Sequence, residues 1–210
     1  MTQKKFSLLI MLLFVLPITN NAQDFKFGGL TGITASKIYF NNKPSDFYEE
    51  TDALTAFNIN AFAKYKSASF WGVAIEPGFI QKGYRTNITW GFIQGSAKVR
   101  LNYIQLPILA ELYLSDKLYF SLGPELAYLL NAKYNMEGKT DITDIYDNRF
   151  ELSGLIGVNY NIYKNFDIGL RYNRGLTKTT GIIFMNETGE YMDEAKEYNQ
   201  YLQIIVNFTI

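Results

Sequence analysis

The sequence predicts an all-β chain, folded as an eight-stranded antiparallel up-and-down transmembrane β-barrel. Three observations carry this expectation. Apolar and polar residues alternate with a period of two along most of the chain, as in strands with one apolar face. Connections alternate between short turns and long polar segments, as in barrels with tight turns at one membrane face and longer loops at the other. Aromatic residues of the apolar face gather at strand ends, where membrane–water interfaces favour them.

The chain of 210 residues opens with Lys4 and Lys5, an apolar run from Phe6 to Ile18, and a polar stretch ending Ala22-Gln23. Charged, apolar and small-residue parts in that order read as a secretory signal peptide over residues 1–22, cut after Ala22. The run is shorter than the roughly 20 apolar residues a spanning helix needs. The barrel domain is then 23–210. Loss of Lys4 and Lys5 leaves 18 basic against 20 acidic residues.

Residues 25–35 are Gly-rich and alternate weakly. Over 54–65, Phe57, Ile59 and Tyr65 oppose Asn58, Asn60 and Lys64. From Phe70, Trp71, Val73, Ile75 and Phe79 oppose Gly72, Ala74, Glu76 and Gly78. Residues 98–114 are apolar on both faces between Ile104 and Leu114, so their facing stays open. From Leu118, Phe120, Leu122, Leu126 and Tyr128 oppose Ser121, Gly123, Glu125 and Ala127. Next, Phe150 to Tyr160 alternate against Glu151, Ser153 and Asn159, and Phe166 to Tyr172 against Asp167 and Arg171. In the last strand Leu202, Ile204, Val206, Phe208 and Ile210 oppose Tyr201, Gln203, Ile205 and Asn207.

Short turns are expected at 66–69, 115–117 and 163–165, and long connections at 36–53, 83–97, 132–148 and 178–197. With both termini in the periplasm, every short turn lies there and every long loop outside. Tyr65, Trp71, Phe120, Tyr160, Phe166 and Phe208 then form an aromatic row at the short-turn end. Phe57, Phe79, Tyr128, Phe150 and Tyr172 form a second row at the long-loop end. Eight residues separate several such pairs, roughly 20 Å at a 40° strand tilt. Pro77, Pro107 and Pro124 fall inside strands, where a closed ladder offers no edge. Bulges are expected there.

Composition excludes much chemistry. With no His and no Cys, Ser–His and Cys–His catalysis, His-ligated metals and thiolate zinc sites are absent. Twenty Lys+Arg balance 20 Asp+Glu, so no bulk charge points to nucleic acid. An eight-stranded barrel has an interior just wide enough for side chains to fill, which argues against porin-like conduction. Inward parity places Glu76, Glu125, Glu151, Arg171 and Lys64 in the lumen as a structural charge network, with Glu125, Glu151 and Arg171 expected to meet. Glu111 joins if the register near Pro107 allows. Paired carboxylates also suit glycoside hydrolysis, but a filled lumen has no room for a sugar chain.

The segments Ile75-Glu-Pro-Gly-Phe79, Leu101-Asn-Tyr-Ile-Gln-Leu-Pro-Ile-Leu109 and Leu122-Gly-Pro-Glu-Leu-Ala-Tyr128 resemble strand motifs of the PorT-type outer-membrane β-barrel family of Bacteroidetes. The resemblance covers essentially the whole mature chain, and its most specific element is the Tyr-Ile-Gln-Leu-Pro-Ile-Leu run. It implies an eight-stranded outer-membrane barrel; the founding member is associated with secretion and surface transport. The sequence ends in Ile210 rather than the terminal aromatic common in such barrels, with Phe208 two positions earlier.

The expected protein is therefore a non-enzymatic monomer without cofactor or metal. It sits in outer-membrane lipid and presents four extracellular loops for binding or adhesion to protein partners. The longest of these loops carries Glu187, Glu190, Asp193, Glu194 and Glu197, read as a solvated acidic run. Two alternatives remain: an accessory component of a secretion or surface-transport machine, and a soluble exported lipocalin-like carrier.

Overall fold

The structure, a computed structural model, describes residues 24–41, 51–90, 93–136, 138–146, 148–185 and 191–210. The expected signal peptide lies outside the described residues, as do parts of the connections at 42–50, 91–92 and 186–190. The strands are β1 (Asp24–Asn41), β2 (Thr51–Lys66), β3 (Trp71–Ile75), β4 (Gly78–Trp90), β5 (Ile93–Tyr113), β6 (Leu118–Asn135), β7 (Lys139–Asp141), β8 (Phe150–Tyr163), β9 (Phe166–Gly175), β10 (Thr180–Met185) and β11 (Tyr191–Thr209). All pairings are antiparallel. They run from β1 to β2, to β3 and β4 as one interrupted strand, then to β5, β6, β8, β9, β11 and back to β1. This is a closed ring of eight strands. Closure gives every strand of the ring a partner on both sides, the condition for crossing lipid.

The polarity of the ring is inverted relative to a water-soluble barrel. Ile33, Ile59, Ile104, Leu122, Ile156, Ile168, Leu170, Ile204 and Val206 are exposed on the outer face. Asn58, Asn60, Gln105, Ser121, Ser153, Asn159, Asn173, Asn199, Gln203 and Asn207 are buried inside. A soluble carrier needs the reverse, so the lipocalin-like alternative fails on this point.

Turns at 67–70, 114–117 and 164–165 are short. Ser67 Oγ accepts from the Ser69 amide at 3.0 Å, and Ser115 Oγ accepts from the Leu118 amide at 3.1 Å. The long connections differ from the expectation. Residues 83–97 are mostly strand: β4 and β5 stay in register from Gly78↔Gln105 to Trp90↔Ile93. In the other long connections β7 pairs with β6, and β10 pairs with β11. Polar residues on both faces read as loop in the sequence. Above the apolar band a hairpin is wetted on its outside, so ladder bonds hold it without an apolar outer face. β5 has 21 residues, against the about 9–11 that cross a bilayer, so roughly half of it stands clear.

The prolines also correct the expectation. No register shift occurs at Pro77, Pro107 or Pro124: β2 pairs with β3 and β4 in one register across Pro77, and Pro107↔Glu125 and Ala110↔Leu122 share one register. The ladder is interrupted instead, and proline carbonyls still accept, Pro77 O from the Ala61 amide at 2.9 Å and Pro107 O from the Glu76 amide at 3.0 Å. Irregularities fall between Ala53 and Asn58, and between Asn102 and Tyr103. Facing the first of these is Gly83, whose φ is +144°. A Cβ there would lie 2.0 Å from the Val99 carbonyl oxygen, so glycine is required on both counts.

Candidate functional site

Charged side chains fill the interior in storeys. At the short-turn end, Lys64 Nζ on β2 lies 3.2 Å from Glu111 Oε1 on β5. It also donates to the Tyr119 hydroxyl at 3.1 Å, which donates onward to Asp167 Oδ2 at 2.9 Å. Tyr113 donates to the other Glu111 oxygen at 2.5 Å.

In the middle storey Arg171 on β9 reaches across the lumen to Glu76, between β3 and β4. Its Nη1 and Nη2 donate to Oε2 and Oε1 at 2.5 and 2.8 Å. Such two-pronged pairing fixes both side chains in direction as well as distance. Asn60 Nδ2 donates to the Glu76 carbonyl at 2.7 Å, and Asn60 Oδ1 accepts from Asn58 and Gln105 at 3.0 and 3.1 Å.

The upper storey centres on Lys82 of β4, fully buried. Its Nζ donates to Glu125 Oε1 on β6 at 3.0 Å and to Glu151 Oε1 on β8 at 2.9 Å. The remaining carboxylate oxygens accept from the Tyr201 hydroxyl at 2.5 Å and from Asn199 Nδ2 at 2.7 Å. The Tyr103 and Tyr201 ring centroids lie 5.0 and 5.3 Å from Nζ, adding aromatic faces to the lysine's shell.

An apolar cluster packs around this storey and continues to the long-loop mouth. Tyr146, from the 3-10 turn Thr143–Ile145 and its flank, packs with Ile80, Val99, Leu101, Leu129 and Ala132. The turn is tied down locally: the Ala132 amide donates to Thr143 Oγ1 at 2.9 Å, and Thr143 donates to Asp141 Oδ1 from its hydroxyl at 2.6 Å and its amide at 2.9 Å. The Thr143 hydrogen bonds hold the exposed Asp141 carboxyl below its ordinary range, with Lys133 and Arg149 adding to the effect.

Glu76, Glu125, Glu151, Arg171 and Lys64 are thus all interior, but they do not form the trio expected. Arg171 pairs with Glu76, while Glu125 and Glu151 share Lys82. The sequence reading missed Lys82 because the alternation was followed only as far as Phe79, short of the long connection expected from Gly83. The available signal was parity: Lys82 is six residues from Glu76 on an even count, and the register runs unbroken through Pro77.

On the outer face, Tyr65, Trp71, Phe120, Tyr160, Phe166 and Phe208 lie toward the short turns. Phe57, Phe79, Tyr128, Phe150 and Tyr172 lie toward the long connections. Neighbouring rings meet along each row, Tyr65–Trp71 at 5.9 Å and Phe166–Phe208 at 5.0 Å below, Phe57–Phe79 at 5.7 Å above. Phe25, not picked out in the sequence, joins the lower row 5.1 Å from Tyr65.

Comparison with known proteins agrees with this architecture. Residues 21–181 match the outer membrane protein beta-barrel domain. No curated protein sequence matches. Among solved structures, Neisserial surface protein A is similar at 14% identity and a TM-score of 0.51, over 90% of this chain and 99% of that one. The attachment invasion locus protein Ail of Yersinia pestis aligns at 13% identity and a TM-score of 0.48, over 89% of this chain and 99% of that one. The outer membrane protein OprG of Pseudomonas aeruginosa aligns at 12% identity and a TM-score of 0.42, over 90% and 95%.

Proposed function

Since the chain belongs to the outer membrane protein beta-barrel domain family, we propose that it is a sealed, non-enzymatic outer-membrane scaffold whose long-loop end carries binding or adhesion. The observation that carries this reading is the filled interior. Three cation–carboxylate storeys and the Tyr146 cluster occupy the axis of the ring, so solute passage needs several buried ion pairs to part. The carboxylates that acid–base chemistry would use are engaged by Arg171, Lys82 and Lys64. Rigid walls with long projecting hairpins suit recognition at the loop end. The reading includes export by the cleaved 1–22 segment, a monomeric barrel in lipid, and protein partners met by the loops.

Planar-bilayer recording of the purified protein tests the seal. No unitary conductance is expected, and stable open events would overturn the scaffold reading. Shaving intact cells with protease tests orientation: cleavage is expected within 36–53 or 178–197, and cutting at 67–70 or 115–117 would invert the barrel. The Tyr103-Ile-Gln-Leu-Pro-Ile-Leu109 run favours a second reading, a PorT-like accessory of a secretion machine. A deletion strain with an unaltered surface proteome would remove that reading.

A further inference from the structure

The outer wall changes character above the upper aromatic row on β4, β5 and β6. Ile104 lies there between Phe79 and Tyr128 as the last apolar row. One row higher, Gln81, Asn102 and Asn131 form an amide ladder, with Gln81 Nε2 donating to Asn102 Oδ1 at 2.9 Å and Asn102 Nδ2 to Asn131 Oδ1 at 2.8 Å. The next two outward rows are cationic. Arg100 stands directly opposite Lys133, and Lys98 directly opposite Arg85. Arg100 and Lys133 are exposed, Arg85 and Lys98 half-buried.

Like charges placed opposite one another on a ladder are destabilising, and here two such pairs adjoin. Asp52 opposes Arg85 on β2 and Asp141 opposes Lys133 on β7, at the two flanks. Among the described residues neither carboxylate lies within ion-pair distance of these cations, although Lys133 acts on Asp141 through space. Lys139, opposite Asn135, extends the patch. Elsewhere on the wall, exposed Lys37 of β1 and Arg174 of β9 flank Gln200 of β11.

We propose that the wall formed by Arg85, Lys98, Arg100 and Lys133 docks the phosphate groups of outer-leaflet glycolipid headgroups. The patch is continuous with the apolar wall beneath it, so a ligand that fits both carries acyl chains and an anionic head. Two arginine forks meet phosphate oxygens bidentately, and the lysines supply point charge. A bound polyanion turns the two like-charge pairs from repulsive neighbours into shared ligands. The proposal rests on the outer-membrane reading but not on the loops or on the sealed lumen.

The test uses the full-length protein in zwitterionic detergent, with bisphosphorylated lipid A and its dephosphorylated form as probes, read by native mass spectrometry. Retention of the bisphosphorylated lipid is expected to exceed that of the dephosphorylated one. A membrane-surface cation is worth about 1 kcal/mol, about fivefold in affinity. Each of Arg85→Gln, Lys98→Gln, Arg100→Gln and Lys133→Gln is therefore expected to weaken retention about fivefold. Combined, the four changes should abolish the preference while leaving the gel shift between boiled and unboiled samples. If the quadruple variant does not fold, the pairs Arg85→Gln/Lys98→Gln and Arg100→Gln/Lys133→Gln serve in its place. In lipid-free detergent these variants are expected to unfold no earlier than the parent, because repulsion is relieved. A purely structural role for the cations predicts the opposite. Equal retention of both lipids, or undiminished retention by the folded variants, overturns the proposal. Binding of inorganic pyrophosphate as tightly as of the bisphosphorylated lipid would make the patch a free-phosphate site and equally refute lipid docking. Failure of the loops to bind any surface partner leaves this assay unaffected.

Discussion

Replacing Arg171 by methionine strands the Glu76 carboxylate in the middle of the barrel. Glu76 is fully buried and holds both guanidinium nitrogens of Arg171, at 2.5 and 2.8 Å. Removing one member of a buried ion pair costs about 3–5 kcal/mol, because the remaining charge keeps its desolvation cost without a partner. At a urea slope of about 1–3 kcal/mol/M, the midpoint in detergent micelles should fall by about 2 M. Adding Glu76→Leu removes the orphaned charge, and an apolar pair of similar volume can be neutral or better. Most of the loss should then return. Adding Glu125→Leu and Glu151→Leu to Arg171→Met should instead deepen it, because those changes strand Lys82. The assay is tryptophan fluorescence across a urea series for the single, double and triple variants. Rescue by the Glu125 and Glu151 changes rather than by Glu76→Leu would refute the pairing described above.

Lys82→Met should cost at least as much as Arg171→Met, since it leaves two carboxylates within 5.9 Å of each other at most, the sum of their 3.0 and 2.9 Å contacts to Nζ. Adding Glu125→Gln with Glu151→Gln should restore most of it, as read by the same urea series. Gly83→Ala should lower stability by about 1–3 kcal/mol from backbone conformation alone, with Val99 O blocking the added carbon; a midpoint equal to wild type would contradict the observed φ. The Asp141 carboxyl is depressed by its Thr143 hydrogen bonds, so the order it contributes is complete above the ordinary carboxyl range and is lost as pH falls through the lowered value. Protection of the Thr143 amide, measured against its intrinsic exchange rate at each pH, should therefore fall in acid, whereas Asp141→Asn should remove that pH dependence. The intact ring should also resist SDS until boiled, giving a gel shift; identical migration before and after boiling would contradict closure.

Strand count, the three short turns and the facing of every strand but the one over 98–114 were legible because each depends on local alternation. Phe57 and Asn58, or Glu151 and Leu152, declare opposite faces within two residues, since adjacent side chains in a strand must point apart. The aromatic rows were legible for the same reason, as parity plus distance from a turn. Hairpin lengths were not: residues 83–97 carry polar side chains on both faces, and ladder bonds above the band depend on a neighbouring strand rather than on any residue pattern. The charge pairing was not either. Parity says that Glu76, Lys82, Glu125, Glu151 and Arg171 point inward, but which of them touch depends on strand stagger around the ring. That stagger sets Arg171 level with Glu76 and raises Lys82 to Glu125 and Glu151. Alternation is a property of one strand and is written in the sequence; partner choice across a lumen belongs to the closed barrel, because only closure sets the height at which opposite walls face each other.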